Sequence, residues 1–214
     1  VDAMGEYSAL TRRLGGQVVE IAPESPNHIN PMSLTADLDS GEENPMAMKA
    51  DFILSLMELI VGGKDGLQPV ERTVIDRCVR LMYRDYLQNP DTAKMPILQD
   101  LYEILCKQTE PEAARLATSL EIYVTGSLNV FNHETDVDLS SRLVCLDLKK
   151  LGAGLRTIAM LIMQDLVNSQ VSINFARGIA TWCYFDEFHL LLKDPLTASY
   201  CVTVWKMLRK KFCV

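Results

Sequence analysis

The chain has 214 residues, 48% hydrophobic and 23% charged, enough for one large domain or a domain with a sizeable insertion around a real core. No apolar stretch approaches the roughly eighteen residues of a bilayer span, and the start lacks a charged-then-apolar signal pattern, so the sequence reads as soluble. A net charge of −7 argues against general nucleic-acid affinity, which needs a basic face to neutralise phosphates, and leaves room only for a local DNA contact.

In chain order, Glu6 to Leu14 predicts a helix with a basic last turn (Arg12, Arg13) and a left-handed cap at Gly15-Gly16. Val18 to Ile21 follows as a strand. Pro23, Pro26, Asn27, Asn30, Pro31 and the acidic stretch Asp37 to Glu43 then read as an irregular surface connection. From Ala47 to Tyr123 the apolar period is close to 3.6 and predicts four helices. Phe52, Leu56 and Leu59 share a face of the first, Val74, Cys78 and Leu81 of the second, Leu98, Leu101 and Leu105 of the third, and Ala113, Leu116 and Leu120 of the fourth. Thr109-Glu110-Pro111-Glu112 before the fourth has capping-box spacing.

After Tyr123 the texture alternates. Arg142 to Leu148 predicts a strand, Ala153 to Asn168 a helix, and Ile179 to Phe185 a second strand, the pattern of a sheet covered by helices. The methionine-rich helix between the strands is apolar nearly all round, as expected of core between layers. Asp194-Pro195 opens a last helix, with aspartate as N-cap and proline in the first turn. The six cysteines (Cys78, Cys106, Cys145, Cys183, Cys201, Cys213) lack C-x-x-C pairing and read as buried reduced thiols of a cytoplasmic protein. The organisation expected is an α/β domain built from residues 1–44 and 124–214, interrupted by a helical insertion over 45–123.

The segment Ile179 to Glu187 is a buried-type strand ending in two carboxylates, Asp186 and Glu187. Ligands of open α/β sheets sit at the carboxyl ends of strands. In a P-loop ATPase the first carboxylate of such a pair helps hold hydrated magnesium, and the second polarises the attacking water. A solvated strand end is the bland reading of the same two residues.

Larger blocks narrow the choice. Phe185-Asp186-Glu187-Phe188-His189-Leu190-Leu191, followed by Trp205-Lys206-Met207-Leu208-Arg209-Lys210, resembles the Walker B segment and following helix of the VirB-type conjugation ATPases, especially those of Gram-positive conjugative elements. Gly5-Glu6-Tyr7 resembles that family's Asp-Pro-Glu-x-Glu-Tyr segment. Asn30-Pro31-Met32 resembles its Asn-Pro block, and Tyr123 to Ser127 with Phe131-Asn132 its Gly-Ser/Phe-Asn block. Ala3-Met4 stands where the family usually has Pro-Glu, while Asp2 and Glu6 are kept.

The resemblance implies a partial RecA-like three-layer fold and an ATPase that energises type IV secretion or conjugative DNA transfer. It also implies ATP and magnesium as cofactors, secretion-machinery partners, a homo-oligomer usually thought of as a hexamer, and a cytoplasmic place at the inner face of the membrane complex. In that frame Asp186 holds magnesium through water, Glu187 activates water, and Lys206 and Arg209 sense or neutralise phosphate charge, in this subunit or a neighbour. No G-x-x-x-x-G-K-[ST] occurs in residues 1–214. The family places that phosphate-binding loop upstream of the stretch matching Val1, and a polar sensor after the Lys/Arg helix, so these 214 residues alone are expected to hydrolyse no ATP.

Other readings stay open. Asp136 and Asp138 with Asp186-Glu187 are candidates for a two-metal phosphodiesterase or nuclease, though Asn132 to Ser140 reads more simply as a polar loop. A module with no chemistry of its own, docking partners on the helical insertion, is the second alternative. Lys206, Arg209, Lys210 and Lys211 also suit the negative end of a helix dipole. His28, His133 and His189 have no metal-ligand spacing, and His189 reads as a structural histidine or one standing behind the carboxylates.

Overall fold

The protein was analysed as a computed structural model, which describes residues 1–34, 45–63, 65–90, 92–193 and 195–211. The chain divides into two compact units, Val1–His28 with Asp136–Val214, and Ile29–Thr135.

The first unit is α/β. Helix α1 spans Ser8–Arg13, strand β1 Gln17–Glu20, strand β2 Val144–Asp147, helix α6 Ala153–Ala176 and helix α7 Pro195–Lys210. β1 and β2 pair in parallel, Gln17 opposite Val144 and Glu20 opposite Asp147. On the other side of β2, Asp2 bridges Asp147, with Asp2 N donating to Leu146 O and Leu148 N to Asp2 O, both at 2.9 Å. Beyond Asp2, Val1 N donates to Tyr184 O and Asp186 N donates to Val1 O at 3.0 Å, again a parallel pattern. The spatial order is therefore the Tyr184–Asp186 segment, the Val1–Ala3 segment, β2 and β1. Parallel segments that follow one another in the chain need a crossover connection, usually a helix, and α6 lies in the one from β2 to the Tyr184–Asp186 segment. One face of α7 (Thr197, Tyr200, Cys201, Val204, Met207, Leu208) is buried, the spacing of an amphipathic helix.

The second unit is helical, with α2 Pro45–Met57 running into a π turn Glu58–Gly62, α3 Pro69–Gln88, α4 Leu98–Cys106 and α5 Pro111–Val124. Buried Glu58 accepts Leu67 N through both carboxylate oxygens, at 3.2 and 3.1 Å, and closes the glycine-rich loop after the π turn. Glu71, only 2% exposed, ties α3 to α5 by accepting from Arg115 Nε at 2.6 Å, and its other oxygen takes Gln68 N at 2.8 Å. Burying that carboxylate is tolerable only because it is paired and hydrogen-bonded. Tyr83, fully buried, donates its hydroxyl to Met32 O and anchors the irregular segment after Ile29.

Several expectations need correction. Ile179 to Phe185 is not a strand: only Thr181 is a bridge residue, although Tyr184 and Asp186 bond to Val1. One side of the segment buries little, with Trp182 65% and Tyr184 75% exposed at alternate positions. α6 continues two turns past Asn168 to Ala176, ending at Gly178 with φ +70°. α1 starts at Ser8 rather than Glu6, because Asp2 takes the N–H groups of residues 5–7. Thr109 does not cap α5. Pro111 occupies its first position and holds Glu110, the actual N-cap, extended at ψ 140°. Cys106 is exposed and Cys183 half-buried, against the expectation of buried thiols, whereas Cys78, Cys145 and Cys201 are buried. The expected N-cap Asp194, the acidic stretch Asp37 to Glu43 and Cys213 lie outside the described residues. Among the described residues no helix is long and apolar enough to cross a membrane.

Candidate functional site

The carboxyl ends of the parallel segments gather the polar chemistry of the α/β unit. Asp2, 1% exposed, accepts Gly5 N at 2.7 Å and Glu6 N at 3.0 Å on Oδ1, and Tyr7 N at 2.8 Å on Oδ2. The Cys145 thiol donates to Oδ2 at 3.7 Å. Burial alone would raise the Asp2 pKa, but the N–H groups of Tyr7, Glu6 and Gly5 together with the Cys145 thiol outweigh it and hold the carboxyl below its usual value. Gly5 supplies the positive φ of +72° that the tight loop requires, and a Cβ there would stand 2.5 Å from Lys149 Cδ. Asp147 lies across the bridge from Asp2 and accepts Ser8 Oγ at 2.5 Å and Lys149 N at 3.0 Å. The loop so fixed leaves Met4, Glu6 and Tyr7 exposed.

Next to that loop, on the neighbouring segment, stand the two carboxylates singled out by sequence. Asp186 Oδ1 accepts the N–H of Glu187 at 2.9 Å. Glu187 has φ 54° and ψ 28°, and among the described residues no other non-glycine residue has positive φ. Such a conformation in a residue with a Cβ costs about 1–2 kcal/mol and is often found at functional turns. The Glu187 carboxylate lies 3.2 Å from His189 Nδ1. Phe188, between them, stacks on Trp205 of α7 at 4.4 Å and 24°, and Phe185 meets Phe188 edge-on at 5.9 Å.

That stack brings the basic face of α7 to the turn. Lys206 follows Trp205 directly and Arg209 lies one helical turn further; both are exposed, and neither makes an ion pair among the described residues. The structure therefore places Asp186 and Glu187 on one turn, and Lys206 and Arg209 on the helix packed against it. The half-buried carboxylates of this turn offer the hard oxygen donors that hydrated magnesium takes, usually together with phosphates and water, so the residues present fit that ion.

The other carboxylates have different partners. Asp136 accepts His28 N and faces His28 Nδ1, each at 2.6 Å, and the His28 side chain is the main cause that lowers its pKa. Asp138 accepts both the N–H and the hydroxyl of Ser140 at 2.9 Å, which lowers its pKa. Among the described residues no three His, Cys, Asp or Glu side chains gather to hold a metal. Sequence reasoning missed the loop-tying role of Asp2, the buried Ser8-Asp147 pair, and Trp205. A tryptophan directly before Lys206 and one helical turn before Arg209 was the available signal for the last.

No protein-family model matches the chain, and no curated protein matches it by sequence. Among solved structures it is similar to that of VirB4 of Thermoanaerobacter pseudethanolicus, with a TM-score of 0.83 and 19% identity over 99% of this chain and 83% of that one. At that identity the likeness establishes a shared fold.

Proposed function

We propose that the chain is part of the ATPase domain of a VirB-type motor that energises type IV secretion and conjugative DNA transfer, of the kind found in Gram-positive conjugative elements. The observation that carries this reading is the VirB4 fold over nearly the whole chain, with the Asp186-Glu187 pair at the carboxyl end of a parallel segment. The α/β unit is then part of a RecA-like three-layer domain, and the helices over 45–123 are its insertion. The working protein is a cytoplasmic homo-oligomer, a hexamer in the simplest form, peripheral to the membrane complex and docked on secretion-machinery proteins, with DNA contact confined to local basic patches.

Bound magnesium and ATP would supply the phosphoryl chemistry, with the ion neutralising charge on the phosphates. Asp186 holds the ion's water shell. Glu187, one residue on, orients and polarises the attacking water. Lys206 and Arg209 stabilise phosphate charge, Arg209 through its planar fork, in the same subunit or the next. Residues 1–214 contain no glycine-rich phosphate loop, so this chain alone is predicted to bind nucleotide very weakly. Magnesium-dependent ATP hydrolysis by the full-length protein tests the reading. It should collapse in Glu187→Gln, and unchanged turnover in that variant would remove Glu187 from the reaction.

A further inference from the structure

We infer that His189 is a positioning residue for Glu187, an assignment that rests on the ATPase reading above. Three observations converge on it. Glu187 has a left-handed backbone, so its side chain leaves the turn in a direction that an ordinary strand end would not give. Its carboxylate lies 3.2 Å from Nδ1 of His189, two residues along. The residue between them, Phe188, is stacked on Trp205 and set edge-on to Phe185, which fixes the backbone from which both side chains depart.

A glutamate on a solvent-facing turn has three rotatable bonds, and most of its rotamers carry the carboxylate away from any one water position. An imidazole nitrogen 3.2 Å from one carboxylate oxygen restricts that set. The restriction adds little stability, because the pair is exposed, with the His189 side chain 63% and the Glu187 side chain 37% accessible. Its consequence is orientational: a general base acts only when its oxygen is within hydrogen-bond reach of the water it polarises. Trp205 links the same turn to the helix bearing Lys206 and Arg209, so the base and the cations share one rigid support.

Two measurements test the inference. In the 214-residue chain, ¹⁵N NMR of the His189 ring should show the proton on Nδ1, and Glu187→Ala should move it to Nε2; identical spectra for the two proteins would overturn the contact. In the full-length protein, His189→Ala should lower kcat for ATP about tenfold at unchanged KM, and His189→Asn, which keeps a side-chain N–H, should recover most of it. A kcat for His189→Ala within twofold of wild type, beside an inactive Glu187→Gln, would overturn the positioning role and leave the ATPase reading intact. Full activity in Glu187→Gln would remove Glu187 from the reaction and overturn the positioning role with it, while absence of magnesium-dependent ATP hydrolysis by the wild-type full-length protein would overturn the ATPase reading.

Discussion

Asp2→Asn is the sharpest test of how the α/β unit is held together, because it changes one atom of a buried side chain. In the wild type both carboxylate oxygens are used, Oδ1 by Gly5 and Glu6, Oδ2 by Tyr7 and Cys145. The asparagine oxygen can retain one of these sets, but its NH2 then faces donors on the other side, and every remaining bond loses its charge assistance. With about 1.5–3 kcal/mol for a hydrogen bond to a charged group, the loss should be about 3 kcal/mol. At a urea slope near 2 kcal/mol per molar this lowers the midpoint by about 1.5 M. Both tryptophans, Trp182 and Trp205, lie in the same unit as Asp2, so tryptophan fluorescence reads that unit selectively. The pH dependence has a definite sign. The native pKa of Asp2 is lowered, so its contribution is complete above the unfolded value of about 3.9 and is lost as the pH falls through the native one. The gap between wild type and Asp2→Asn should therefore close below about pH 4. A gap at pH 7 of less than about 0.5 kcal/mol, the range of an ordinary surface change, would refute the reasoning.

Arg115→Ala should destabilise the helical unit by about 3–5 kcal/mol, seen by far-ultraviolet circular dichroism, because it strips Glu71 of its guanidinium partner while that carboxylate stays 2% exposed. Glu187→Asn should raise the stability of the α/β unit by about 0.5–1 kcal/mol in urea titrations, since asparagine tolerates the left-handed conformation, while abolishing the proposed hydrolysis. Gly5→Ala should cost more than about 1 kcal/mol, both from its positive φ and from the contact with Lys149. Thiol labelling of the native chain at pH 8 should modify Cys106 quickly and spare Cys201, whose pKa burial pushes up to about 11; fast labelling of Cys201 would contradict the α6–α7 packing.

The helices were legible in the sequence for a plain reason. Each of α3 to α5 buries one stripe, and a 3.6-residue repeat survives in the primary structure whatever the stripe packs against. β1 and β2 were found for a related reason, as short apolar runs between turn residues. The Ile179–Phe185 segment shows the limit. Its composition suits a strand, but strand formation depends on packing and on neighbours, and its pairing with Val1 is limited to bonds at Tyr184 and Asp186. The irregular stretches flanking the helices carry no period at all. Asn30 Nδ2 donates to Pro96 O at 2.8 Å and Thr135 Oγ1 accepts Asn30 N at 2.9 Å, so side chains rather than a backbone ladder tie these residues into the helical unit.

The candidate site was legible as chemistry and illegible as geometry. Two adjacent carboxylates after an apolar run, and cations on the next helix, could be read directly. That Asp2 spends its charge on three backbone N–H groups could not, because nothing in an aspartate's neighbours distinguishes a ligand from a loop tie. The left-handed turn at Glu187 and its pairing with His189 were equally hidden, since glutamate is not a residue whose presence signals positive φ.

The most direct measurement is a structure of the full-length protein with magnesium and a non-hydrolysable ATP analogue. The account predicts the ion's water shell on the Asp186 carboxylate and the Glu187 carboxylate facing the terminal phosphate. Nucleotide bound elsewhere, with Asp186 and Glu187 left in solvent, would contradict it.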